Sequence, residues 1–189
     1  MSEMEQALSV PNELVKVQTA REQRAAFAQL YDHYFPKVYS YLLYRIQDPQ
    51  VADDLTSQIF ERALTRLDQY RPERGAFSTW LFAIARNCLK KHWRRERLRR
   101  LLPLEAARHR PAAAPTVEEM VDQNDQLAQL MPLIRALDER ERNILALKFG
   151  AGLTNRRIAE ITGLTANHVG VLVYRTLKQL REALHGEEG

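Results

Sequence analysis

Phe82, Arg86, Lys90, Trp93 and Arg97 follow one another at three- and four-residue steps. On a helix that spacing stacks them along one face, where rings and cations alternate. Splayed nucleic-acid bases stack on aromatic rings while Arg and Lys follow the phosphates, so such a stripe suits a single strand. The same side chains would equally serve a helix that packs Phe82 and Trp93 under its neighbours and leaves its charges in water. Both readings stand on these residues alone.

A second candidate lies further along the chain. Asn155–Thr162 reads as a short helix with Ile158, Ala159 and Ile161 apolar, and Gly163 suits a tight turn. Thr165 can cap the helix that follows, which completes a helix-turn-helix pattern. In that helix the spacing puts Val169, Val173, Thr176, Leu177, Leu180 and Leu184 on the inner face. Recognition helices present their N-terminal half to base edges. The base-contact candidates are therefore Asn167, His168, Val171, Tyr174 and Arg175, with Lys178 and Arg181 nearer the phosphates. An outward Val171 suits a thymine methyl or a partner protein, and the sequence does not choose between them.

The elements that must position these residues follow from apolar periodicity, which runs at helical steps almost throughout, without strand alternation. Residues 22–34 form one helix burying Ala26, Phe27, Leu30 and Tyr31, and a second runs from about Pro36 to Ile46. Asp48 and Pro49 are an N-cap and first-turn signal for a third, ending near Tyr70. Ser78 caps a fourth that reaches about Arg100, with Trp80, Leu81, Ile84 and Cys88 on its core face. Residues 101–115 hold Pro103, Pro111, Pro115 and three consecutive alanines, and read as an extended linker. Thr116 with Glu119, and Asp138 with Glu141, are capping boxes for the helices beyond it. The expected architecture is all-α: an N-terminal extension over 1–20, a helical domain over 21–100, the linker 101–115, and a helix-turn-helix domain over 116–186.

Charge placement agrees with a polyanionic partner. There are 28 Lys and Arg against 24 Asp and Glu, a net charge of only +4. Residues 86–110 concentrate ten of the cations with only Glu96 and Glu105 against them. Cys88 is the single cysteine, so no internal disulfide or multi-thiol zinc site can form, and it reads as a small core residue. The five histidines lack ligand spacing, and adjacent Asp53 and Asp54 diverge on a helix, which makes a poor metal pair. No enzyme, cofactor or metal is expected. The acidic start Met-Ser-Glu-Met-Glu and the lack of a long apolar run point to a cytoplasmic protein without a membrane partner.

Four segments in order resemble the extracytoplasmic-function sigma factors, promoter-recognition subunits of bacterial RNA polymerase. They are Ala52-Asp-Asp-Leu-Thr-Ser-Gln-Ile-Phe60, Phe77-Ser-Thr-Trp-Leu-Phe-Ala-Ile-Ala-Arg-Asn87, Leu137-Asp-Glu-Arg-Glu-Arg142, and the stretch from Leu153 to Leu164. The resemblance implies a core-polymerase contact at Asp53, Asp54, Gln58 and Phe60, on coiled-coil helices of the β′ subunit, with the β subunit also a partner. It implies capture of the melted −10 strand by Phe77, Ser78, Thr79, Phe82, Arg86, Asn87, Lys90 and Trp93. It implies duplex contact at the −35 element by Asn167, His168, Val171, Tyr174, Arg175 and Lys178. Promoter DNA would be the ligand, and an anti-sigma factor is a further partner that the resemblance admits. Two departures stand out: Gly170-Val171-Leu172 replaces a polar basic triplet, and Ser57-Gln58 replaces a Gln-Glu pair. The alternative reading is a free-standing helix-turn-helix regulator of duplex DNA.

Overall fold

A computed structural model describes residues 20–101 and 125–186, with side chains over 26–99 and 130–184. Every regular element among the described residues is helical. The first half comprises α1 (Ala20–Ile46), α2 (Pro49–Thr65) and α3 (Phe77–Leu101), with short 3-10 turns at Leu67–Gln69 and Pro72–Arg74. The second comprises α4 (Asp125–Ala136), α5 (Glu139–Leu145), a π turn (Ala146–Gly150), α6 (Asn155–Thr162) and α7 (Ala166–Gly186). Residues 1–19, residues 102–115 of the expected linker and the Thr116/Glu119 capping box lie outside the described residues.

The two helices expected over 22–46 are one. Pro36 sits inside α1 without ending it. Its missing N–H and its ring cost a helix interior about 3 kcal/mol. Burial on both sides offsets that: Leu30 and Tyr34 before it, and Val38, Tyr41 and Leu42 after it, all lie in the core. Gln47, with φ of 60°, then turns the chain, and Asp48 caps α2 by accepting from the Val51 N–H at 3.0 Å.

α2 stops at Thr65 rather than near Tyr70, because the chain tightens into the first 3-10 turn. α3 begins one residue before Ser78, so Ser78 is not its cap; its side chain is buried instead. α3 is also apolar over a wider arc than one stripe. Leu81, Phe82, Ala85, Cys88 and Leu89 are all buried, because α3 is packed by α2 and α1 on one side and by α6 on another.

In the second half, local signals and structure agree closely. Asp138 accepts from the Glu141 N–H at 2.7 Å while Glu141 accepts from the Asp138 N–H at 3.4 Å, a complete capping box. Gly163 is left-handed at φ of 76° between α6 and α7. Thr165 accepts from the His168 N–H at 3.2 Å, as a cap should. Leu177 departs from the expected inner face and stays exposed, while Val169, Thr176 and Leu180 are buried.

The halves do not stand apart. Ile144, Leu147, Leu153, Ile158 and Val169 join Leu42, Leu81 and Phe82 in one continuous apolar cluster. The π turn lies along α1, and α6 lies on α3. Pro36→Ala restores the helix N–H at an exposed position, a gain of about 3 kcal/mol partly cancelled by about 1 kcal/mol of added unfolded-state entropy. Chemical denaturation should therefore give an unfolding free energy higher by about 1–2 kcal/mol.

Candidate nucleic-acid interface

Three surfaces carry the residues singled out by sequence. On α2, Asp53, Asp54 and Gln58 are exposed, and Ser57 and Glu61 share their side of the helix. Glu61 escaped the sequence reading, although it continues the row at helical spacing. Phe60 does not belong to that surface. It is 3 % exposed and held by the rings of Phe27, Tyr31 and Phe35 at centroid distances of 6.4, 4.8 and 6.1 Å. Its role is to anchor α2 on α1; the outward side of α2 is polar apart from Leu64, which is 48 % exposed.

On α3 the stripe divides. Phe77 is buried in an aromatic cluster with Tyr34, Tyr70 and Trp80, with ring centroids 5.4–5.5 Å apart. Phe82 is fully buried, edge-on to Tyr41 at 5.6 Å and 88°. Neither ring can stack a base in this arrangement, and buried Ser78 cannot reach a strand with its hydroxyl, because the wide apolar arc of α3 takes all three inward. Asn87, Lys90, Trp93 and Arg97 are exposed, and Lys91 and Arg94 flank them. This is the part of the stripe that is open to a strand.

Thr79 and Arg86 form a third class: polar, and engaged by the other half of the chain. The Thr79 hydroxyl donates to Glu160 Oε2 at 2.9 Å. Arg86 Nη1 donates to the Ile161 carbonyl at 3.0 Å, at the C-terminal turn of α6. Partial burial would raise the Glu160 carboxyl, but hydrogen bonds from Arg157 and Thr79 and the charges of Arg157 and Arg156 hold it below its ordinary value. The stabilisation that Glu160 gives is thus present at neutral pH. It fades only as pH falls through that depressed pKa, below the usual carboxylate range. Beside Arg86 lies a cleft of about 430 Å³ between the halves, whose walls include Arg45, Lys90, Trp93 and Arg140.

On α7, Asn167, His168, Val171, Tyr174, Arg175 and Lys178 are all exposed, Tyr174 at 70 %. Lys178 is paired with Glu182 at 3.6 Å, and His168 lies 3.4 Å from Arg140. The unusual triplet resolves into three different environments. A Cβ on Gly170 would stand 3.2 Å from Asn155 Nδ2, so the glycine lets α7 approach the start of α6. Leu172 packs against the core and Val171 alone points outward, 47 % exposed.

Cys88 is buried, and burial pushes its thiol up, with Arg62 donating to the sulfur at 3.1 Å and offsetting only part of this. No described helix is long and apolar enough to cross a membrane.

Comparison with known proteins assigns both halves. Sigma-70 region 2 matches residues 30–99, and Sigma-70, region 4 matches residues 127–180. The chain is 31 % identical over 159 residues to the ECF RNA polymerase sigma factor BldN of Streptomyces coelicolor, covering 84 % of this chain and 60 % of that protein. It is 27 % identical over 158 residues to the ECF RNA polymerase sigma factor RpoE of Cereibacter sphaeroides, covering 84 % and 86 % of the two. The chain thus spans less than two thirds of the first relative's length. Its fold is shared with the Bartonella quintana sigma factor RpoE in complex with the anti-sigma factor NepR (TM-score 0.62, 20 % identity, 84 % and 96 % covered). It is also shared with CnrH in complex with the cytosolic domain of CnrY (TM-score 0.58, 21 % identity, 86 % and 90 % covered).

The burial pattern separates anchors from contact residues. Phe60→Ala and Phe82→Ala should each lose about 3–5 kcal/mol of folding stability. Gln58→Ala and Asn87→Ala, at exposed positions, should stay within about 0.5 kcal/mol of the parent. Denaturant titration of the four variants checks this, and equal losses at all four positions would contradict the division.

Proposed function

We propose that this chain, which belongs to the extracytoplasmic-function branch of the sigma-70 family, binds core RNA polymerase and directs promoter recognition and opening. The observation that carries the reading is the order of the two matched regions together with what each leaves exposed. The first carries a basic face with an exposed tryptophan, and the second a helix-turn-helix with its second helix facing outward.

The chemistry is binding rather than catalysis. The polar side of α2, with Asp53, Asp54, Gln58 and Glu61, would meet cationic groups on the β′ subunit, and the β subunit would take part of the second half. Strand opening needs no bond-making residue: unpairing costs a few kcal/mol per base, and capture of unstacked bases offsets it. Trp93 offers a stacking face, and Arg86, Lys90 and Arg97 offer phosphate contacts. Upstream, Tyr174 and Arg175 lie where a recognition helix reads base edges, and Val171 matches the C5-methyl of thymine. The site of action would be the bacterial cytoplasm, with promoter DNA as ligand and an anti-sigma factor as a restraining partner.

Run-off transcription with purified core polymerase tests the reading; no defined start on any template would refute it. Within the holoenzyme, Arg175→Ala should weaken binding of a duplex −35 fragment by about 1–3 kcal/mol. Trp93→Ala should leave that duplex affinity intact and lower occupancy of the melted strand by about 1–3 kcal/mol, read by permanganate footprinting of unpaired thymines.

A further inference from the structure

The cleft on the seam between the halves has walls from α1, α3, α5 and the end of α6, and its charges do not balance. Arg45, Arg86, Lys90 and Arg140 line it, with Glu139 as the one acid against them. Its volume of about 430 Å³ falls within the roughly 300–1,000 Å³ of small-ligand pockets. Pockets of that kind are mostly apolar, whereas this one gathers four cations. Its chemistry calls for an anion.

Arg45 shows that the cleft is more than a solvated basic face. Its side chain is only 6 % exposed, and it pairs at 3.7 Å with Glu139, a carboxylate that is 77 % exposed and therefore screened by water. Nη1 donates to the Glu139 carbonyl at 3.1 Å, but Nε is closed to solvent and has no hydrogen-bond partner among the described residues. Arg142 has the same orphaned Nε. Burial is the main force against the Arg45 charge; Tyr41 and Glu139 favour it, while Arg142 and Arg86 oppose it as like charges. A buried charge needs a close counter-charge, and this cluster is short of one. The cations also stand on three helices: Arg45 on α1, Arg86 and Lys90 on α3, and Arg140 on α5. A single small anion cannot meet them all. Linked phosphates can, and guanidinium forks suit their oxygens. Trp93, on the same wall and 39 % exposed, offers a ring on which a base can stack.

We propose that this cleft binds a free nucleoside polyphosphate, its phosphates among Arg45, Arg86, Lys90 and Arg140 and its base on Trp93. Phosphates also occur in a nucleic-acid strand, which would run along α3 past Lys90, Trp93 and Arg97. The cleft runs across that line instead, to Arg45 on α1 and Arg140 on α5, and Arg97 is not among its walls. A compact ligand suits that shape better than a continuous strand. The site goes beyond the promoter reading and shares only Arg86, Lys90 and Trp93 with it.

The test is calorimetric titration of the full chain, without polymerase or magnesium, with guanosine diphosphate and with inorganic pyrophosphate. Each should bind one to one. Arg140, Trp93 and Arg97 are all exposed, so their alanine variants keep the fold. Arg140→Ala should weaken both ligands by about tenfold, the worth of a charge-assisted contact. Trp93→Ala should weaken guanosine diphosphate by about tenfold and leave pyrophosphate within about twofold of the parent. Arg97→Ala should leave both within about twofold, as expected of a surface charge outside the cleft. A labelled mixed-sequence single-stranded oligonucleotide should show the reverse dependence, weakened by Arg97→Ala and little changed by Arg140→Ala. Absence of saturable binding by either ligand would overturn the site. Equal losses of guanosine diphosphate affinity in Arg97→Ala and Arg140→Ala would reduce it to diffuse attraction and overturn it too. If Arg140→Ala weakened the oligonucleotide as much as the nucleotide, the cleft would belong to the strand. If Trp93→Ala weakened pyrophosphate equally, the nucleoside part of the assignment would fail. None of these measurements involves transcription, so the run-off assay remains a separate result that bears on the promoter reading.

Discussion

Tyr41 is the residue on which both halves depend. Its ring is 1 % exposed and packs edge-on against Phe82, in the middle of the α1–α3 contact. A buried phenol must find a hydrogen-bond partner or lose about 1–3 kcal/mol. Here Asn143 supplies the partner from α5, in the other half of the chain. Burial also pushes the phenol up, more than nearby Arg45 and Arg86 pull it down, so it remains a donor across the physiological range. One side chain therefore serves the core with its ring and the seam with its hydroxyl. Arg45, four residues on, makes a parallel link from the same helix to Glu139.

The seam around it is mixed in character. Apolar contact runs through it, since Ile144 and Leu147 belong to the same cluster as Leu42 and Phe82. Its rim is polar, with Arg45, Glu139, Thr79 and Glu160. Desolvation pulls the Arg45 guanidinium down, partly countered by Tyr41 and Glu139, which marks the burial of that cation as costly. Polar interfaces of this kind between domains are consistent with relative motion, whereas large dry ones resist it.

Local chemistry was the legible part of the sequence. Asp48, Asp138, Thr165 and Gly163 act through neighbours a few residues away, and each does what its type predicts. What escaped was decided by distant residues. Pro36 reads as a helix start until the burial around it is known, and Phe82 reads equally as a stacking ring or a core ring until its contact with Tyr41 of α1 is known. Phe60 fell to the same blindness, since its partners lie on α1. The contacts of Thr79 and Arg86 with α6 left no trace, because a carbonyl acceptor has no sequence identity and Glu160 looks like any exposed acid. The exposed positions of α7 were readable because that helix is packed on one side only.

The π turn at Ala146–Gly150 holds one residue more per turn than the α-helix it continues. That widened turn sets Leu147 into the apolar cluster and Gly150 against Ser40 and Tyr44 of α1 just before the chain leaves helical winding on its way to α6. Losing one residue there would return the turn to ordinary α-helical winding and carry this contact off the face that now meets α1.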